Sequence, residues 1–147
     1  MKKPFPILCF LFMMVGCIED HKNTTPQILA QLAKKFSAQS VDENNITVYT
    51  KGGASNIRPG YNKLLLDLTG PGATFRDFDN NTFVARVWTV TDNNKLTLTD
   101  LDPQPSGTNG VIEFSITSIS DSQVVLTRLA ASEKTGGQIV KYTLTTP

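Results

Sequence analysis

From about Asn45 onward the chain alternates apolar and polar residues with a period of two. Ile46 and Val48 open the pattern. Leu64, Leu66 and Leu68 share one face, with Leu65 on the other. Leu96 and Leu98 alternate with Thr97 and Thr99, and Ile112, Phe114 and Ile116 with Glu113, Ser115 and Thr117. Val124, Leu126 and Leu129 follow, then Val140, Tyr142 and Leu144. Successive side chains of a strand point to opposite sides, so each run predicts a half-buried strand. Phe83 to Val90 (FVARVWTV) is apolar on both faces. The runs are separated by Asp92-Asn93-Asn94, Asp121-Ser122 and Gly136-Gly137, residues that tolerate the positive φ of tight hairpins. A longer Pro/Gly loop spans Asp100 to Gly110. Tight turns join antiparallel neighbours. The expected fold is therefore mainly β, an antiparallel meander forming a barrel or half-barrel.

One earlier stretch has a different period. Ile28, Leu32 and Phe36 recur every four residues, with Leu29 and Ala33 beside them. Thr25 suits a helix cap and Pro26 the first helical position, where its missing N–H costs nothing. Lys34 and Lys35 suit the negative end of the dipole. A helix ending by Ser40 is expected, lying across the β body.

The N-terminal end has a third character. Lys2 and Lys3 precede an apolar run from Ile7 to Val15, then Gly16 and Cys17. The run is well short of the roughly 20 residues needed to cross a bilayer and fits the apolar core of a secretory signal. Met14-Val15-Gly16-Cys17 resembles the lipobox of bacterial lipoproteins. The resemblance implies lipidation of Cys17, typically with palmitate, and cleavage before it. Residues 1–16 are then a lipoprotein signal peptide, 17–25 a polar tether (IEDHKNTT after the Cys) and 26–147 one β domain with its N-terminal helix. More than one acyl chain is needed for stable anchoring, and the lipobox implies more than one. Glu19 and Asp20 resemble the surface-export signal of Bacteroidetes lipoproteins; a merely solvated acidic linker fits them equally.

Removing the signal changes the arithmetic. Lys2 and Lys3 leave, so twelve of the 14 basic side chains face 13 acidic ones, a net charge of about −1. Arg58, Arg76, Arg86 and Arg128 are scattered, so no nucleic-acid surface is expected. Cys9 leaves with the signal and Cys17 carries lipid, which removes disulfides and thiolate chemistry from the domain.

The C-terminal half resembles the small lipocalin-like domains of Bacteroidetes lipoproteins. The residues that carry it are Val87-Trp88-Thr89-Val90, Lys95 to Thr99, Ile112 to Ile119, Val124 to Thr127 and Tyr142-Thr143-Leu144. The resemblance implies a β barrel in the cell envelope, lipid-anchored at the outer membrane. It names no ligand.

His21, the sole His, sits in the tether, so no Ser-His-Asp site or His/Cys zinc site is expected in the domain. No cofactor, metal or catalytic residue is assigned. Asp77, Asp79 and Asn81 begin like a calcium loop, but Thr82 and Trp88 stand where Gly and Glu are needed, so a polar turn is expected. Asp100 and Asp102 could form an acid–base pair but suit turn hydrogen bonds better. The pattern places Arg86 on one face with Val84, Trp88 and Val90, and Arg128 with Val124 and Leu126. An Arg on an apolar face is costly unless paired. Either these guanidiniums snorkel to water or pair with Asp67 or Glu113, or Arg86, Trp88, Arg128 and Tyr142 form a ligand site. The leading expectation is a non-enzymatic module binding a small hydrophobic, anionic or glycan ligand. A structural or accessory subunit of an outer-membrane complex is the alternative, and a hydrolase using the Asp-rich loops is third.

Overall fold

The computed structural model describes residues 24–147. The signal peptide, Cys17 and the tether through residue 23 lie outside the described residues. A short helix, α1 (Thr25–Leu32), comes first. Its cap is Thr24, one residue before the expected Thr25, and the Thr24 N–H donates to Gln27 Oε1 at 2.9 Å. Nine strands follow: β1 (Lys35–Glu43), β2 (Ile46–Thr50), β3 (Leu65–Asp67), β4 (Ala73–Arg76), β5 (Thr82–Thr91), β6 (Lys95–Asp102), β7 (Ile112–Ile119), β8 (Gln123–Arg128) and β9 (Val140–Thr145). A 3-10 turn at Pro59–Lys63 links β2 to β3.

Every strand pairing is antiparallel. Strands β3 to β9 neighbour one another in chain order, and β1 closes the ring. It pairs with β9 from Ser37 opposite Thr145 to Glu43 opposite Val140. Its other edge takes β3 beside Lys35, Phe36 and Ser37, then β2 beside Ser40 to Glu43. The result is a closed barrel of eight strands, with β2 as a flap. Closure settles the choice between barrel and half-barrel left open by the strand pattern.

The expected helix to Ser40 is corrected. Phe36 is fully buried but on β1, where Ala38 and Val41 also face inward. The four-residue recurrence of Ile28, Leu32 and Phe36 continued into a strand by coincidence. A helix of this length is marginal by itself, whereas β1 gains ladders on both edges. Its alternation is hidden by register shifts between Ala38 and Ser40 and between Val41 and Asp42.

A second correction concerns β5. Phe83 and Ala85 face inward and Val84 and Arg86 are exposed, yet further along Trp88 and Val90 pack on the core. The facing β6 switches in step: Leu96 and Leu98 are buried, and then Leu101. Ala85 stays opposite Leu101 and Trp88 opposite Leu98, so the pairing continues while both strands change face. Asp100 lies at the switch with φ +54°. A left-handed residue breaks period-two alternation, so Arg86 does not share a face with Trp88.

One end of the barrel is closed by α1. Ile28 and Leu32 are buried there, Thr25 Oγ1 bonds Asn93 in the β5–β6 turn, and Lys34 Nζ donates to the Asp121 carbonyl in the β7–β8 turn at 2.5 Å. The interior is filled by apolar side chains and a run of aromatic rings. Phe83 stacks on Phe75 with centroids 6.3 Å apart, Phe75 meets Phe114 at 6.4 Å, Phe114 meets Tyr142 at 6.1 Å, and Tyr142 meets Tyr61 at 6.3 Å. These buried side chains form one contiguous core through the barrel.

Candidate functional site

The aromatic run surfaces at the end opposite α1. There the 3-10 turn, the β4–β5 turn, the β6–β7 loop and the β8–β9 loop form a mouth around a half-enclosed pocket. Gly60 seats the 3-10 turn directly on the β4–β5 turn, since a Cβ there would lie 2.6 Å from the Phe78 carbonyl oxygen. Gly107, at φ +72°, brings the β6–β7 loop against Glu133; a Cβ would meet that carboxyl at 2.7 Å. The two loops therefore meet at the rim. The β8–β9 loop is held by Thr135, whose hydroxyl donates to the Ser132 carbonyl at 2.9 Å, and by Gly136 and Gly137 in the left-handed region.

Three buried charges stand at this end. Glu43, at the end of β1, is 2% exposed and accepts from the Tyr61 hydroxyl at 2.8 Å and from Arg58 Nε at 2.9 Å. The Arg58 guanidinium also lies over the Phe78 ring, 5.4 Å from its centre. Burial, then the neighbouring Tyr142 phenol and the hydrogen bond to Glu43, raises the Tyr61 pKa far above the ordinary phenol range. Asp77 is 6% exposed. Its Oδ1 accepts the N–H groups of Asp79 and Asn81, each at 2.9 Å, and its Oδ2 accepts from Lys134 Nζ at 2.5 Å. Burial alone would lower the Lys134 pKa, but the hydrogen bond and charge of Asp77, then Asp79, hold it above the usual value.

The third charge is Arg128, the last residue of β8. It is 8% exposed, its Nε is buried with no hydrogen-bond partner, and it forms no ion pair among the described residues. The carboxylates that might have taken it are engaged: Asp67 with Lys35 at 3.2 Å and Glu113 with Lys95 at 3.0 Å. Its face is that of Val124 and Leu126, both fully buried, which brings the guanidinium inward beside Tyr142. Burial pushes the Tyr142 phenol up to about 12, with the charge of Arg128 and a hydrogen bond to it pulling the other way. At neutral pH Tyr142 therefore carries its proton and can donate it in a hydrogen bond.

Of the four residues singled out from the sequence, the structure brings Arg128 and Tyr142 together in this pocket. Arg86 and Trp88 are elsewhere. Arg86 is exposed on the outer wall beside Val84, Asp100 and Asp102. Trp88 lies towards the helix-capped end, where its Nε1 donates to the Gly70 carbonyl at 2.8 Å. Lys134 and Asp77 join the site without having been assigned to it. Lys134 sits in a loop with no periodicity, and Asp77 reads from the sequence only as part of a polar turn, which it does organise. Leu129 is 49% exposed, on the face opposite Arg128. Among the described residues no cluster of three His, Cys, Asp or Glu side chains is placed to hold a metal.

The pocket is small. It offers about 30 Å³ for the centres of water molecules, where one water needs about 10–15 Å³. Pockets for whole drug-sized ligands run to roughly 300–1,000 Å³. The site as formed accommodates a head group, not an entire lipid.

An up-and-down antiparallel barrel of eight strands with one capping helix is a lipocalin-like fold. No protein-family model matches the sequence, and no curated protein matches it. Two solved structures are similar in backbone. One is a lipocalin-like protein from Bacteroides uniformis ATCC 8492, 14% identical, with a TM-score of 0.47 over 80% of this chain and 99% of that one. The other is an uncharacterized protein from Bacteroides eggerthii DSM 20697, 12% identical, with a TM-score of 0.46 over 78% and 98%.

Proposed function

We propose that the protein is a lipid-anchored envelope lipoprotein whose β domain binds a small ligand at the barrel mouth, without catalysis. The observation that carries the binding reading is the buried Arg128 side chain, whose Nε has no hydrogen-bond partner and which makes no ion pair among the described residues, at the end of the barrel that α1 leaves uncovered. An unpaired buried charge costs several kcal/mol, a cost that a bound partner would offset. The non-catalytic part is supported by the sequence: residues 24–147 contain neither His nor Cys, and Asp100 and Asp102 lie on the outer wall instead of in the pocket. A second reading, an accessory subunit of an envelope complex, is favoured by the β2 flap, where Ile46 is 62% and nearby Ile57 69% exposed.

The anchor reading rests on MVGC at Met14 to Cys17. Labelled palmitate is expected to enter the wild-type chain and to be absent from Cys17→Ser; label retained by the variant removes the anchor. Thr24, where the described chain begins, leads directly into α1 at the closed end. An anchor at Cys17 would thus hold the mouth on the side away from the membrane, within a tether reach of about 25 Å.

The mouth reading is tested by ligand-observed NMR with a library of small fragments on the full chain. Ser106, exposed on the β6–β7 loop and lining the pocket, is the position for a plug. Hits are expected on the wild type and lost in Ser106→Trp, with the melting temperature unchanged within a few degrees. Absence of any hit, or hits that survive the plug, overturns the mouth as the site.

A further inference from the structure

We propose that the ligand of the mouth pocket is a small monocarboxylate, bound through its head group to Arg128, with its body lying against the aromatic rim. This rests on the mouth being the binding site and adds the chemical class of the occupant.

The buried charges at this end pair off and leave one over. Glu43 is compensated by Arg58, and Asp77 by Lys134. Arg128 alone is left over, with its Nε buried and unpartnered. The charged residues lining the pocket are Asp77, Lys134 and Arg128, so the lining carries one positive charge in excess, beside Phe75, Phe83 and Ile112. A single negative charge neutralises it. A phosphate ester, at about −1.5 to −2 near neutral pH, would leave excess negative charge desolvated beside Asp77. A neutral sugar or fatty alcohol would leave the guanidinium unpaired. The guanidinium is a planar fork matched to the two oxygens of a carboxylate, and the protonated Tyr142 hydroxyl is a further donor to an acceptor oxygen. Lys134 does not compete, because both its carboxylate neighbours hold it. The room for water centres, about 30 Å³, suits a carboxyl group and one or two carbons. The remainder of the molecule would emerge past Phe83 and Pro105, so the occupant has an apolar or aromatic body next to its carboxylate.

The test is calorimetric titration of the purified full chain with acetate, hexanoate and benzoate, with the matching amides, and with inorganic phosphate. Binding of at least one carboxylate is expected, at least tenfold tighter than its amide and at least tenfold tighter than phosphate. Arg128→Met is expected to lose carboxylate binding by tenfold or more while keeping its circular-dichroism spectrum, and Arg128→Lys to keep a weakened preference for carboxylate over amide. Amides binding as well as acids would overturn the charge argument and leave the mouth reading standing. So would phosphate binding more tightly than the carboxylates. Fragment hits at the mouth with none of these acids binding would likewise end the monocarboxylate assignment alone. Silence in both experiments would end both readings. Carboxylate binding that is unchanged in Arg128→Met would place the anion elsewhere and overturn the proposal.

Discussion

Phe114→Ala is expected to remove about 3–5 kcal/mol of unfolding free energy, a large share of the roughly 5–15 kcal/mol that holds a domain of this size folded. Phe114 lies in the middle of the aromatic run and is 1% exposed. Its ring touches the ring of Phe75 on one side and Tyr142 on the other. Strand pairing on both sides of β7 keeps the backbone from collapsing into the space. The transfer cost and the cavity cost therefore add. In urea the midpoint should fall by roughly 1–5 M at an ordinary slope of 1–3 kcal/mol per molar. The control is Ile46→Ala on the β2 flap, at 62% exposure, where a change within about 0.5 kcal/mol is expected. A loss below 1 kcal/mol for Phe114→Ala would mean that the barrel interior is looser than the ring contacts describe. The same variant is expected to enlarge the mouth pocket inward, since the vacated ring adjoins Tyr142.

The parts of this fold that were legible share one property: a regular pleat flanked by turns with local chemistry. Leu96 and Leu98, Ile112 and Phe114, Val124 and Leu126, and Val140, Tyr142 and Leu144 all fall on the buried face their alternation indicates. Asp92 and Asn93 take the positive φ that the β5–β6 hairpin requires. The illegible parts are those where the pleat is interrupted. In β1 two register shifts and an inward Glu43 erase the alternation of KFSAQSVDE, so the four-residue pattern runs on from the helix into the strand that closes the barrel. In β6 a left-handed Asp100 turns both it and β5 over, and nothing in the local sequence marks Asp where Asn or Gly is usual. The site divides in the same way. Arg128 could be singled out because Val124 and Leu126 fix its face. Lys134 and its partner Asp77 meet across a separation in the chain that no local pattern reports.

Arg128→Met is expected to make the unliganded protein more stable, by about 1–4 kcal/mol, the range seen when buried ionic groups give way to apolar ones of similar volume. Met keeps most of the Arg stem and its flexibility suits an irregular space. The side chain would sit against Val124 and Leu126 on a face already fully buried. No carboxylate is stranded by the change, since among the described residues Arg128 makes no ion pair and its Nε has no acceptor. Most buried-charge substitutions destabilise because they orphan a charged partner; here the unpartnered group is the Arg128 Nε itself. Thermal melts should separate the two proteins without ligand and bring them together with it. A carboxylate at 100 times its dissociation constant would stabilise the wild type by about 2.7 kcal/mol and leave Arg128→Met unmoved. Lys134→Met is the contrasting case, because it strands Asp77 at 6% exposure and should destabilise. An Arg128→Met protein that melts below the wild type in the absence of ligand would show that the guanidinium is already compensated. The charge count at the mouth would then lose its leftover cation.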